Sequence, residues 1–265
     1  MAEDVKLLKE KTLFGDRDKV KEAIEILRDL EPKEGYYLAD SGGKDSTVIL
    51  ALAKTAGVKF EAHYNVTTID PPELVYFLRK HHPDTIFERP EKPLLQRMVE
   101  KGVYPSRKMR WCCAEYKERG GKGRLISTGV RAGESAKRSK RRMVENCMRG
   151  GNKRYLNIII NWSDFEVWEF IKGNNIPYCS LYDEGFKRIG CLFCPMASGP
   201  NRKFEAERYP NYVKMFIKAF EKMHENKVTE GKRAGTRWKS GEEWFWWWMD
   251  DNRKSEDPDQ TVMFE

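Results

Sequence analysis

No stretch of this 265-residue chain stays apolar long enough to span a bilayer, and the opening residues Met1-Ala2-Glu3-Asp4-Val5-Lys6 lack the apolar centre of a secretory leader. These absences exclude an α-helical membrane protein and make the cytoplasm the expected location. Cysteine is scarce, at six residues, so in a reducing compartment a disulfide framework is not expected. Reduced thiols, metal ligands or redox groups are the roles that remain. There is no internal repeat and no low-complexity segment. Acidic residues are rare between Lys101 and Arg154, where 4 Asp/Glu stand among 17 Lys/Arg, although the whole chain carries a net charge of only +8.

What is present is most informative at Asp40-Ser41-Gly42-Gly43-Lys44-Asp45-Ser46, between a short apolar run (Tyr36 to Ala39) and a helical one. A strand that empties into a Gly-rich turn and then a helix directs backbone N–H groups toward one point. Gly42 and Gly43 have no Cβ to hold an anion away, Ser41 and Ser46 add hydroxyls, and Lys44 adds a mobile positive charge. An ordinary helix cap explains one serine but not two glycines with a lysine. The segment is therefore read as a phosphate site. Its spacing fits neither a Walker loop nor the dinucleotide fingerprint G-x-G-x-x-G.

Hydrophobic content of 40% in this length suffices for one large α/β domain with a helical appendage. Helical periods run over Asp16–Leu30, Lys44–Ala56, Pro72–His82, Pro93–Lys101 and Ser163–Lys172. Strands are expected at Tyr36–Ala39, Phe60–Val66, Thr85–Phe87, Arg124–Val130 and Tyr155–Trp162. Such alternation implies a parallel, Rossmann-like sheet with helices on both faces, and ligands bound beyond the carboxyl ends of its strands. The loops after Ala39 and Val130 then face one crevice. Residues 1–34 form an N-terminal helical segment, 35–190 the α/β domain, and 191–265 a cysteine turn with a helical extension. That extension holds Phe204–His224 and the aromatic run Trp244-Phe245-Trp246-Trp247-Trp248, a core or docking helix.

Four cysteines form two pairs, Cys112-Cys113 and Cys191-x-x-Cys194. Zinc ligation, a redox pair and buried free thiols all suit C-x-x-C, although adjacent cysteines are unusual for zinc. The basic run Lys137-Arg138-Ser139-Lys140-Arg141-Arg142 suits an anion larger than one phosphate, either nucleic acid or a nucleotide.

The loop Ser41-Gly42-Gly43-Lys44-Asp45-Ser46 resembles the S-G-G-x-D-S PP-loop of the ATP pyrophosphatases. Thr128-Gly129-Val130-Arg131, Ser135 and Arg138 resemble the T-G-L-R-x-x-Q-S-x-x-R signature of adenylyl-sulfate and phosphoadenylyl-sulfate reductases. Trp162-Ser163 with Val167-Trp168, the segment Ile176 to Cys194, and Cys112-Cys113-Ala114-Glu115-Tyr116-Lys117 resemble further signatures of that family. The resemblance implies an adenine-nucleotide α-hydrolase-like fold whose nucleotide-binding PP-loop domain covers 35–190. It also implies ATP held by Ser41, Gly42, Gly43, Lys44, Asp45, Ser46, Gly129, Arg131 and Ser135. Arg131 and Arg138, with Lys44, would offset phosphate charge, Asp45 would hold Mg²⁺, and Cys112, Cys113, Cys191 and Cys194 would hold a [4Fe-4S] cluster.

The departures from the family pattern bear on activity. Glu134 replaces the signature glutamine, Tyr116 replaces an arginine, and no cysteine lies between Pro195 and Glu265, where the reductases carry their nucleophile. The intact PP-loop points instead to an ATP pyrophosphatase that activates a substrate, nucleic acid being the expectation, for sulfur transfer. The partners implied are ATP or a sulfonucleotide, DNA or RNA, and a sulfur-donor protein such as a cysteine desulfurase, with no membrane. Two alternatives stand beside it: a sulfonucleotide reductase using Cys147, Cys179 or a partner's thiol, and a non-catalytic nucleotide-binding subunit.

Overall fold

The structure is a computed structural model and describes residues 8–12, 15–146, 152–229 and 237–250. The chain forms two compact units that interleave along the sequence. The first comprises Met1–Val66, Asp70–Pro90 and Tyr116–Gly190, and the second Thr67–Ile69, Glu91–Glu115 and Cys191–Glu265.

The first unit opens with an antiparallel hairpin, β1 (Lys9–Thr12) and β2 (Gly15–Asp18), followed by helix α1 (Lys19–Asp29). Asp18 starts α1 by accepting hydrogen bonds from the backbone of Val20 (3.0 Å) and Lys21 (3.2 Å). The helical period therefore overshoots at Asp16, which belongs to β2.

Strand β3 (Tyr36–Ala39) and helix α2 (Lys44–Ala56) coincide with the periodicity, and Gly57, at φ +69°, ends α2 in the left-handed conformation. The remaining strands are β4 (Phe60–Asn65), β5 (Ile86–Glu88), β6 (Leu125–Ser127), β7 (Val144–Asn146) and β8 (Arg154–Leu156). Helices α3 (Pro72–His81) and α5 (Asp164–Gly173) also belong to this unit, and α4 (Leu94–Lys101) belongs to the second.

The six-stranded sheet has the order β5-β4-β3-β6-β8-β7 and is parallel except for β7, an edge strand antiparallel to β8 that the periodicity missed. Strand β3 pairs with β4 on one side and β6 on the other, so the strand order reverses there. The main core joins α1, α2 and α5 through Val20, Leu27, Tyr36, Leu38, Leu52 and Phe170. Tyr37 points to the opposite face, where it stacks on His63 at 4.0 Å. The expected strand through Trp162 stops at Leu156. Asn157 diverts it, because its backbone N–H bonds Met143 O and its side chain bonds Arg142 O, so Ile158 to Ile160 form a buried turn.

The second unit is helical. The expected helix Phe204–His224 is two helices, α6 (Gly199–Arg208) and α7 (Pro210–Thr229), because Pro210 has no N–H to continue α6. The last, α8 (Gly241–Met249), packs Trp244, Phe245 and Trp248 onto Phe216 and Phe220 of α7, and the Trp248 indole donates to Pro105 O at 2.7 Å. Most of the aromatic run is thus core, with Trp246 exposed. Among the described residues no helix is long and apolar enough to cross a membrane.

Candidate active site and cysteine cluster

The Gly-rich loop leaves β3 at Asp40, which is buried and braces it from beneath. Asp40 Oδ1 accepts from Gly42 N at 3.0 Å, while Oδ2 meets His82 Nδ1 at 2.7 Å and accepts from the Thr85 hydroxyl at 2.9 Å. Gly42 sits at φ +70° with Leu74 and Leu78 of α3 where a side chain would go, so only glycine fits. Two of the loop's amides are already engaged, Gly42 N by Asp40 and Lys44 N by the Tyr182 hydroxyl at 2.9 Å. Ser41 donates to the Ser46 hydroxyl at 3.2 Å, and Ser46 donates to Gly43 O at 2.9 Å.

The loop after β6 meets the start of α2, bringing two sequence-predicted cations together. Arg131 Nε donates to Asp45 Oδ1 at 2.6 Å and Arg131 Nη2 to Asp164 Oδ1 at 2.8 Å. Lys44 Nζ lies 3.2 Å from Asp45 Oδ2 and 3.0 Å from the same Asp164 Oδ1. The Lys44 and Arg131 side chains are only 7% and 5% exposed, so these carboxylates carry the balance of charge. Burial works to lower the Arg131 pKa, and Asp45, Asp164 and Glu134 outweigh it, leaving the guanidinium more firmly charged than usual. Burial works to raise the Asp164 pKa, and Lys44 and Arg131 outweigh it, holding the carboxyl below its usual range.

With both oxygens on cations, the Asp45 carboxylate does not fit as a Mg²⁺ ligand. Arg138 pairs with Glu134, which also accepts from Arg131 N at 3.0 Å. Ser135 closes the turn that follows, accepting from Arg138 N. In the basic run, Arg141 pairs with Glu145 at 2.6 Å, whereas Lys137, Lys140 and Arg142 are exposed. Asp164, Tyr182 and the Asp40–His82–Thr85 group were missed from the sequence. Asp164 had one signal, its place after the Ser163 cap of α5, where Ser163 and Glu166 exchange hydrogen bonds.

All four paired cysteines lie in the second unit. Cys113 begins a π-helical turn (Cys113–Lys117). The Cys191–Cys194 turn is held by Leu192 N on Ile69 O (2.9 Å), the Cys191 sulfur against the Thr67 hydroxyl (3.4 Å), and Phe193 N on the buried Glu205 (2.6 Å). Phe193 adopts φ +57°, an unusual value for an aromatic residue and the kind of strain found at functional sites.

A hydrogen bond with Cys113, burial, and the charges of Cys113, Cys191 and Cys194 together push the Cys112 thiol far up. Arg110 Nη2 donates to the Cys113 sulfur at 3.4 Å. Among the described residues no group of three His, Cys, Asp or Glu side chains is disposed to hold a single metal ion. By ligand chemistry, four cysteine sulfurs are the donor set that an iron–sulfur cluster takes. Cys179 is buried, its thiol pushed up chiefly by that burial, and Cys147 lies outside the described residues.

A parallel-dominated α/β sheet with a Gly-rich loop at its strand-order reversal is a Rossmann-like fold. The chain belongs to the phosphoadenosine phosphosulfate reductase domain family, whose sequence model matches residues 35–197. It is 29% identical over 233 residues to an uncharacterized protein of Methanocaldococcus jannaschii, covering 81% of this chain and 46% of that one. It is 40% identical over 74 residues to the adenosine 5′-phosphosulfate reductase of Neisseria meningitidis, covering 27% of this chain and 30% of that enzyme. The chain thus spans half or less of the length of these relatives. Among solved structures, the phosphoadenylyl-sulfate reductase of Candida auris shares the fold, with a TM-score of 0.51 at 20% identity over 64% of this chain and 87% of that one.

Proposed function

We propose that the chain is an ATP pyrophosphatase of this family that adenylylates an acceptor for sulfur transfer. The observation that carries the reading is the pairing of two buried cations, Lys44 and Arg131, at the mouth of an intact Ser-Gly-Gly-Lys-Asp-Ser loop. Cations held in place before reaction offset the charge that develops on a nucleotide as its phosphates separate, with little reorganisation. An acceptor oxygen forms a bond to the α-phosphorus. The bond from that phosphorus to the bridging oxygen breaks, and pyrophosphate leaves with the electron pair. Arg138, steadied by Glu134, adds a third cation on the loop that carries Arg131. A [4Fe-4S] cluster on Cys112, Cys113, Cys191 and Cys194 would supply sulfur or electron chemistry when bound. The acceptor is nucleic acid on this reading, engaged by Lys137, Lys140 and Arg142, and the sulfur comes from a donor protein.

The likeness to adenosine 5′-phosphosulfate reductases favours a second reading, sulfonucleotide reduction. That chemistry needs an accessible thiolate, and the burial of Cys179 weighs against it there. Anaerobically purified protein offered ATP, adenylyl sulfate and phosphoadenylyl sulfate separates the readings. AMP and pyrophosphate from ATP are expected. Sulfite lost in Cys147→Ser or Cys179→Ser would establish reduction instead, and tight nucleotide binding without turnover would mark an accessory subunit.

A further inference from the structure

One oxygen of Asp164 serves both buried cations. Its Oδ1 is 3.0 Å from Lys44 Nζ and 2.8 Å from Arg131 Nη2. Asp45 also meets both, but with separate oxygens from a side chain only 20% exposed, within the loop itself. Asp164 is different. Its side chain is 62% exposed and projects from the first position of α5, whose backbone is fixed by the Ser163–Glu166 exchange. A single oxygen shared by an ammonium and a guanidinium is also how a phosphate oxygen is bound. A phosphate oxygen that bridges the same two atoms, Lys44 Nζ and Arg131 Nη2, takes the position of Asp164 Oδ1, because two anionic oxygens cannot share it.

We propose that Asp164 is an exchangeable counter-anion for the phosphate site, a carboxylate that keeps Lys44 and Arg131 poised and gives way to phosphate. This deepens the ATP reading and rests on it. Exposure lets Asp164 rotate into solvent without moving α5, whereas Asp45 stays to hold the cations in register. The exchange replaces one carboxylate with a group of higher charge, so anions of low charge are rejected and a polyphosphate is accepted. Asp164 therefore weakens phosphate binding in general and makes it selective for charge.

The test is isothermal calorimetry with inorganic pyrophosphate and with ATP, both in buffer containing EDTA, on wild type and Asp164→Asn. Removing the competing charge should tighten pyrophosphate binding about tenfold or more, the scale of one charge-assisted hydrogen bond. Asp164→Ser should do the same. Variants that bind pyrophosphate as weakly as wild type, or more weakly, overturn the exchange while leaving the ATP reading intact. Failure of wild type and variants alike to bind either ligand overturns the ATP reading itself. Carbon-13 carboxyl NMR of wild type gives a second readout that needs no variant. The Asp164 carboxyl should titrate at higher pH once pyrophosphate is bound, and an unchanged titration counts against the exchange.

Discussion

Gly129 lies so close to Asp45 that a Cβ at position 129 would stand 2.8 Å from the Asp45 carbonyl carbon and 2.9 Å from its oxygen. The neighbour is backbone at the start of α2 and cannot swing aside. The contact presses the loop after β6 onto the phosphate loop and lets Arg131 reach Asp45. Gly129→Ala should therefore cost about 1–3 kcal/mol through overpacking. Urea unfolding should show a lower midpoint with an unchanged slope, and ATP affinity should fall with it.

Lys44→Ala should weaken ATP binding by about 1.5–3 kcal/mol, the worth of a charge-assisted contact. Lys44 is buried at the start of α2. Arg131 still balances Asp45 and Asp164 in the variant, and the fold should survive. Calorimetry beside a thermal melt checks both statements, and unchanged affinity would remove Lys44 from the site.

Stability should decline in acid through Glu166. Its burial works to raise its pKa, but Lys19 at 2.6 Å and the Ser163 cap outweigh that and hold it below the reference value of 4.5. A depressed pKa means the stabilisation is complete above the unfolded value and is lost as pH falls through the folded one. Glu166→Gln should flatten the decline below about pH 4.5, the unfolded carboxylate range. Denaturation midpoints measured from pH 7 to pH 3 decide it, and parallel curves would exclude Glu166.

Anaerobic preparations should hold about four irons per chain, as a [4Fe-4S] cluster requires. Serine at Cys112, Cys113, Cys191 or Cys194 should lose most of the iron, whereas Cys179→Ser should keep it. Elemental analysis reads the outcome, and stoichiometric zinc in iron-supplemented preparations would replace the cluster with a zinc site. In the folded protein Cys179 should resist iodoacetamide at neutral pH, because it is buried and little of it is thiolate.

If Lys137, Lys140 and Arg142 each meet one phosphate, duplex affinity should fall with salt at a log–log slope of about −3. Arg138 and Arg141 are already paired with Glu134 and Glu145 and should add little. Fluorescence anisotropy across a salt series measures the slope. A flat response would remove nucleic acid from this surface.

The strand Tyr36–Ala39, the loop after it and the helix Lys44–Ala56 were legible in the sequence, because their signals are local: two glycines, a lysine and one apolar period. Family membership was legible for the same reason, since motif spacing is a property of the linear chain. The antiparallel strand β7, the turn at Ile158–Ile160 and the break before Pro210 were not read. The first two depend on Asn157 meeting Arg142 and Met143 in space, while Pro210 carried its own local signal. The candidate site divides the same way. Lys44 and Arg131 stand out as cations in motifs, but that both rest on one oxygen of Asp164 is decided only by folding. Electrostatic balance is a matter of distance and burial, and residues 44, 131 and 164 acquire both only when strands β3 and β6 lie side by side.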